Sequence, residues 1–180
     1  MTMNTKPVEL SLSGSAFELR SLKAGDEPQL ADFFKRLPKH DLLYVPRDVS
    51  NPKILEACFR TTSEDDMRTI IATDGERIVG SAALIVDPLS WSPHVGEIRV
   101  MIDASSRRLG LGRALIENRY NEAVEMGLEK LIARMTIDQR GAFAIFEPMG
   151  FVGEALLKRH VRDEDGNAHD IALLSCHLTK

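Results

Sequence analysis

The sequence is sparing with the residues that staple small folds, cross membranes or grip nucleic acid. Of its 180 residues only two are cysteines, Cys58 and Cys176, each inside an otherwise apolar segment and in no metal-ligand spacing. That argues against a disulfide scaffold or a zinc finger, and reads as two buried thiols in a reducing compartment, the cytoplasm. Aromatic residues make up 6%, with a single tryptophan, Trp91. No apolar run is long enough to span a bilayer, and Met1 to Gly14 lacks the apolar core of a signal peptide. Those fourteen residues read as a flexible leader ahead of a single domain over residues 15–180. Neither sign of charge dominates: the net charge is −4 and no basic stripe appears, so neither nucleic acid nor a membrane is an expected partner. The acidic run Asp163-Glu164-Asp165-Gly166-Asn167 lacks EF-hand spacing, because its glycine comes too early and Leu174 stands at the twelfth position. It reads as a hairpin turn, and no metal is expected.

What is present suits an ordinary globular domain, with 43% hydrophobic and 28% charged residues. Phe17, Leu19 and Ser21 alternate with charged neighbours, which predicts a strand over 16–22. Gly25-Asp26-Glu27-Pro28 starts a helix whose stripe is Leu30, Phe33, Phe34 and Leu37. Asn51 and Pro52 open a second, with Ile54, Leu55, Cys58 and Phe59 as its stripe. The connection Lys39 to Ser50 carries His40, Asp41, Tyr44 and Arg47. Strands are expected at 69–73, 77–86, 95–102, 131–137, 154–161 and 169–178. A helix carrying Leu111, Leu115, Ile116, Tyr120, Ala123 and Val124 on one face follows the third of these, and a short one over 140–149 follows the fourth.

The most informative stretch is Val100-Met101-Ile102-Asp103-Ala104-Ser105-Ser106-Arg107-Arg108-Leu109-Gly110-Leu111-Gly112-Arg113. It opens as a strand, turns through a loop rich in Arg and Gly, and enters a helix. Glycines let a backbone approach a ligand closely, and a helix start aims free N–H groups and a positive dipole end at the loop. Backbone donors, dipole and guanidinium groups together make a phosphate cradle. It is no Walker loop, since G-x-x-x-x-G-K-[ST] is absent. Nor is it the dinucleotide fingerprint, since Leu115 stands where the third glycine belongs.

The pattern R-x-x-G-x-G (Arg107, Gly110, Gly112) resembles the pyrophosphate-binding motif [QR]-x-x-G-x-[GA] of the GNAT superfamily of acyl-CoA-dependent N-acyltransferases. A second stretch, Gln139-Arg140-Gly141-Ala142-Phe143-Ala144-Ile145-Phe146-Glu147-Pro148-Met149-Gly150-Phe151, is similar to the family run N-x-x-A-x-x-x-Y-E-x-x-G-F, matching at Ala142, Glu147, Gly150 and Phe151. The resemblance implies an α/β (α+β) GNAT fold: a mixed, mostly antiparallel central sheet of about six to seven strands flanked by about four helices. It implies acetyl-CoA as cosubstrate. The backbone of Val100, Met101 and Ile102 would run beside pantetheine. Arg107, Arg108, Leu109, Gly110, Leu111, Gly112 and Arg113 would hold the pyrophosphate, with Gln139 and Phe146 beside the cofactor.

The implied function is transfer of an acetyl group to a primary amine, a small molecule or a protein lysine or N-terminus, by direct attack in a ternary complex. An alkyl ammonium must lose a proton first. Candidate bases are Glu97, which pairing with Arg99 would instead make structural, and His94, which a surface role would. Trp91, His94, Tyr44 and His40 are candidate rim residues for the acceptor. Phe146 replaces the tyrosine that many members use to protonate the departing thiolate. That leaves a second reading, a CoA-binding sensor with little turnover. A homodimer is also compatible with the resemblance.

Overall fold

Short apolar–polar alternations and helical stripes assemble into one sheet with helices on both faces. The computed structural model describes residues 7–61, 66–75 and 77–178, with backbone alone at 57–61. In chain order the elements are β1 (Val8–Leu12), β2 (Ser15–Ser21), α1 (Glu27–Arg36), α2 (Pro52–Thr61), β3 (Met67–Asp74), β4 (Arg77–Val86), β5 (Val95–Ile102), α3 (Leu111–Glu125), β6 (Lys130–Thr136), α4 (Arg140–Phe146), β7 (Val152–Arg162) and β8 (Ala168–His177). The eight strands lie in the order β1-β2-β3-β4-β5-β6-β8-β7. Every pairing is antiparallel except β5 with β6.

The sheet thus has one strand more than the six to seven expected, and the extra one is β1. Val8–Leu12 falls in the stretch read from sequence as a flexible leader, yet it pairs with β2, Leu10 opposite Phe17. Ser13 and Gly14, at φ 50 and 83, close a tight hairpin. Val8, Leu10 and Leu12 do alternate with polar residues; five residues near a chain end were too short a run to stand out.

The helices settle on opposite faces. α3 and α4 cover Leu84, Ile98, Leu131, Ala133 and Met135 with Ile116, Ala123 and Phe146. α1 and α2 cover Ile71 and Ile78 with Leu30, Phe33, Phe34 and Leu55. Cys58 and Phe59, read as part of the α2 stripe, have side chains outside the described residues, while Cys176 is a buried free thiol. On β5, alternation sends Ile98 and Val100 towards α3, and Glu97, Arg99 and Met101 to the α1 face.

Two features depart from pattern. Val124, expected on the buried face of α3, is exposed, and Arg119 is 2% exposed instead. Its guanidinium donates to the carbonyl of Arg68 at 3.1 Å and pairs with Glu122. Burial pulls its pKa below the usual value, with Glu122 opposing. At the far edge, β7 loses register with β8 between Leu157 and Val161, where Arg159 has φ 51.

Leu10 and Leu12 pack on the group formed by Phe17, Leu19 and Leu111. Deleting residues 1–12 is therefore expected to cost about 2 kcal/mol and lower the melting temperature by roughly 4–8 °C. Thermal unfolding of the truncated chain checks this; an unchanged midpoint would return β1 to the status of a leader.

Candidate functional site

The only parallel pairing in the sheet is short. β5 and β6 pair at Val95↔Lys130, Gly96↔Leu131 and Glu97↔Ile132, and then part, although β5 continues to Ile102 and β6 to Thr136. Asp103 N–H still donates to Val79 on β4, so by alternation the peptide groups of Ile98, Val100 and Ile102 turn towards the opened side. Two of their carbonyls are engaged there. Val100 accepts the Tyr44 hydroxyl at 2.6 Å, and Ile102 accepts Arg107 Nε and Nη2 at 3.2 and 3.1 Å.

At the open end of this splay β5 passes into the glycine loop. Asp103 anchors it: one carboxylate oxygen takes the Ser105 N–H and hydroxyl, at 3.1 and 2.9 Å, and the other takes Arg36 Nε at 3.0 Å and Arg77 at 3.3 Å. Burial pushes the Asp103 pKa up, but these donors outweigh it and hold the carboxyl below its ordinary value. Arg108 and Gly110 have φ 62 and 89, the left-handed region. α3 then begins at Leu111 with Gly110 as its cap, no capping side chain and no acidic residue in its first turn. Its leading N–H groups and dipole end are left for an anion. A Cβ on Gly112 would lie 3.1 Å from the tip of the Ile145 side chain on α4, which would have to shift by a few tenths of an ångström to admit it.

The three loop arginines differ. Arg107 is a strut, tying Ile102 to Asp41 at 2.5 Å. Arg113 pairs along the helix with Glu117 at 2.7 Å. Arg108 is exposed. Leu109 and Leu111 pack inward, Leu111 at 1% exposure. Gln139 caps the start of α4, and its side-chain oxygen accepts the Thr136 N–H at 3.2 Å. Phe146 lies in the core against Phe151, ring centroids 4.9 Å apart.

On the α1 face, the connection between α1 and α2 bridges the mouth of the splay. Tyr44 reaches Val100 on β5, while His40 Nε2 lies 3.0 Å from an Asp138 oxygen and 3.3 Å from the hydroxyl of Thr136, the last residue of β6. Burial pushes the Tyr44 phenol well above its usual pKa, so it stays protonated. The His40 ring packs edge-on against His169, 5.1 Å between centroids. His169 bonds Asp163 at 2.8 Å and draws that carboxyl down to about 2. Glu97 stands where the strands part, accepting Arg99 Nε and Nη2 at 2.9 and 3.2 Å, with Arg134 Nε 4.0 Å away. His94 is at the other end of β5, exposed, its carbonyl taking the N–H groups of Glu129 and Lys130. Trp91 is fully exposed on the same β4–β5 connection. Thus Tyr44 comes near Glu97, His40 sits farther along β6 beside Thr136, and His94 and Trp91 join neither. Sequence reasoning missed Arg134, Thr136 and the two His–Asp pairs. Only the pairing of β6 with β8 brings these near the α1–α2 connection, and no local spacing announces that. Among the described residues no group of three or more His, Cys, Asp or Glu is placed to hold a metal ion, and no helix is long and apolar enough to cross a membrane.

A mixed sheet opened between two parallel strands, with an uncapped helix start at the opening, defines the acetyltransferase class of α/β folds. The chain belongs to the acetyltransferase (GNAT) family, whose sequence pattern matches residues 31–151. It is 33% identical over 89 residues to a mycothiol acetyltransferase of Geodermatophilus obscurus, a match covering 48% of this chain and 29% of that protein. Among solved structures it resembles a GCN5-related N-acetyltransferase from Kribbella flavida (TM-score 0.75, 19% identity, 90% of this chain and 98% of the other). It also resembles the ribosomal-protein-S18-alanine N-acetyltransferase of Escherichia coli (TM-score 0.71, 19% identity, 91% and 95%). At these identities the structural matches establish the fold.

The depressed pKa of Asp103 makes its contribution to stability complete above the ordinary carboxylate pKa and lost as pH falls through the folded value. Asp103→Asn is expected to lower the melting temperature at pH 7 by roughly 4–8 °C, the loss of charge-assisted bonds worth about 2 kcal/mol. That gap should close as the pH is taken down towards 3. Melting curves of both proteins from pH 7 to 3 check the size and the sign.

Proposed function

We propose that this protein transfers an acetyl group from acetyl-CoA to a primary amine by direct attack within a ternary complex. The observation that carries the reading is the splay of β5 from β6, ending in the uncapped start of α3. In this reading the N–H groups from Arg108 to Arg113 hold the pyrophosphate, and Arg108 is the loop arginine left for a further phosphate. The N–H groups of Val100 and Ile102, turned to the opened side, are donors for the pantetheine carbonyls. Gln139 keeps the start of α4 in place beside them.

The acceptor comes from the α1 face. Its ammonium first passes a proton to a base, the freed nitrogen attacks the thioester carbonyl carbon, the C–S bond breaks, and the second proton shed by the nitrogen as the amide forms leaves the departing sulfur a thiol. Holding both reactants in line supplies much of the rate. Glu97, at the point of parting, is paired with Arg99 in the free protein and serves as the base in this reading once an incoming acceptor loosens that pair. Phe146, sealed in the core, brings no hydroxyl to the thiolate. Tyr44 carries one into the splay from the opposite face, but that hydroxyl donates to the Val100 carbonyl and burial makes it a weaker acid, so its part is to hold the mouth of the splay. The competing sensor reading rests on Phe146 alone.

Acetyl-CoA in large excess over its dissociation constant is expected to raise the melting temperature, because a ligand of the native state stabilises it. Gly110→Asp, which sets a side chain and a negative charge in the cradle, should abolish that shift while the protein stays folded. Glu97→Gln should bind acetyl-CoA normally yet release thiol at least about 10-fold more slowly with an accepted amine. Binding without thiol release from any amine in a broad panel would favour the sensor.

A further inference from the structure

Continuing the parallel register past Glu97↔Ile132 brings Arg99 opposite Arg134 as the next pair on the same face. The strands have already parted there, so two guanidinium groups look at each other across the mouth of the splay, on the side away from α3 and α4. Between them stands one carboxylate, Glu97, whose side chain is 11% exposed. Arg99 grips it with two hydrogen bonds. Arg134 does not: its side chain is 36% exposed, and its Nε, the sheltered end of the guanidinium, lies 4.0 Å from the nearer oxygen, an ion pair beyond hydrogen-bond range, with no acceptor. The other carboxylates of this face are taken, Asp41 by Arg107, Asp138 by His40 and Asp163 by His169. A buried donor left unmatched beside surplus positive charge calls for an anion.

We propose that Arg134, with Arg99 opposite, binds a carboxylate carried by the acceptor itself, so that the substrates are amino acids rather than polyamines. The inference rests on the acetyl-transfer reading and names the acceptor class of that same site. A planar carboxylate matches a guanidinium fork in two parallel bonds, and it supplies the acceptor that Arg134 Nε lacks. The ammonium of an amino acid then lies beside Glu97. By competing for Arg99, the incoming carboxylate also loosens the grip on Glu97 and leaves it an oxygen for the proton. A polyamine brings only more positive charge to the two arginines.

The test uses the full chain and acetyl-CoA, with thiol release as readout. Its panel holds free amino acids (leucine, methionine, phenylalanine and aspartate), the carboxamide of each, and spermidine. We expect kcat/KM for the acids to exceed that for the amides by roughly 30-fold, the worth of a charge-assisted pair. Arg134→Gln should erase the difference mainly through KM, with acetyl-CoA affinity unchanged, and Arg134→Lys should keep part of it. Amides or spermidine acetylated as well as the acids, or discrimination surviving in Arg134→Gln, would overturn the carboxylate site and leave acetyl transfer standing. Acetyl-CoA binding with no amine acetylated would bring down the transfer reading and this one together.

Discussion

Everything in the site depends on where one ladder of hydrogen bonds stops. β5 and β6 are held together for three residue pairs and then separate, while each stays locked to its antiparallel neighbour on the other side. A backbone that runs on without its partner carries unsatisfied polar groups, and those groups must find other partners. Some are met within the chain, by Tyr44 and Arg107. The N–H groups of Val100 and Ile102 remain on the opened side, and the proposed acetyl-CoA site rests on them. The glycine loop matters because it sits at the end of that opening, where the strand hands over to the uncapped helix.

The second organising element is the segment between α1 and α2. It forms no long regular structure, yet it makes contact with both sides of the opening and with the loop: Tyr44 on β5, His40 at the end of β6, Asp41 on Arg107. Together these contacts frame the α1 face of the splay. In the neighbouring patch Glu97 and Arg99 are largely withdrawn from water, while Arg134 keeps about a third of its side chain exposed.

Much of this architecture was legible in the sequence because it depends on local spacing. The stripe Leu30, Phe33, Phe34, Leu37, the Asn51-Pro52 start and the Arg107–Gly110–Gly112 spacing each encode their own structure within a few residues. The Glu97–Arg99 pairing was visible too, since two residues apart on a strand share a face. Arg134 and His169 were not, because only β6 lying beside both β5 and β8 brings them to this face. Arg119 was passed over for another reason: its spacing from Leu115 and Ala123 puts it on the buried stripe, but its charge argues for solvent, and only the carbonyl of Arg68 and the carboxylate of Glu122 make its burial tolerable.

The break in register on β7 has a bearing on how this protein behaves in concentrated solution. An outer strand of eleven residues, with Val152 and Leu156 largely uncovered, is an open template for another chain to dock along. The kink at Arg159, set among Lys158, Arg159 and Arg162, twists that template and lines it with cations. A straight neighbour cannot zip along the whole border, and a like-charged one is turned away.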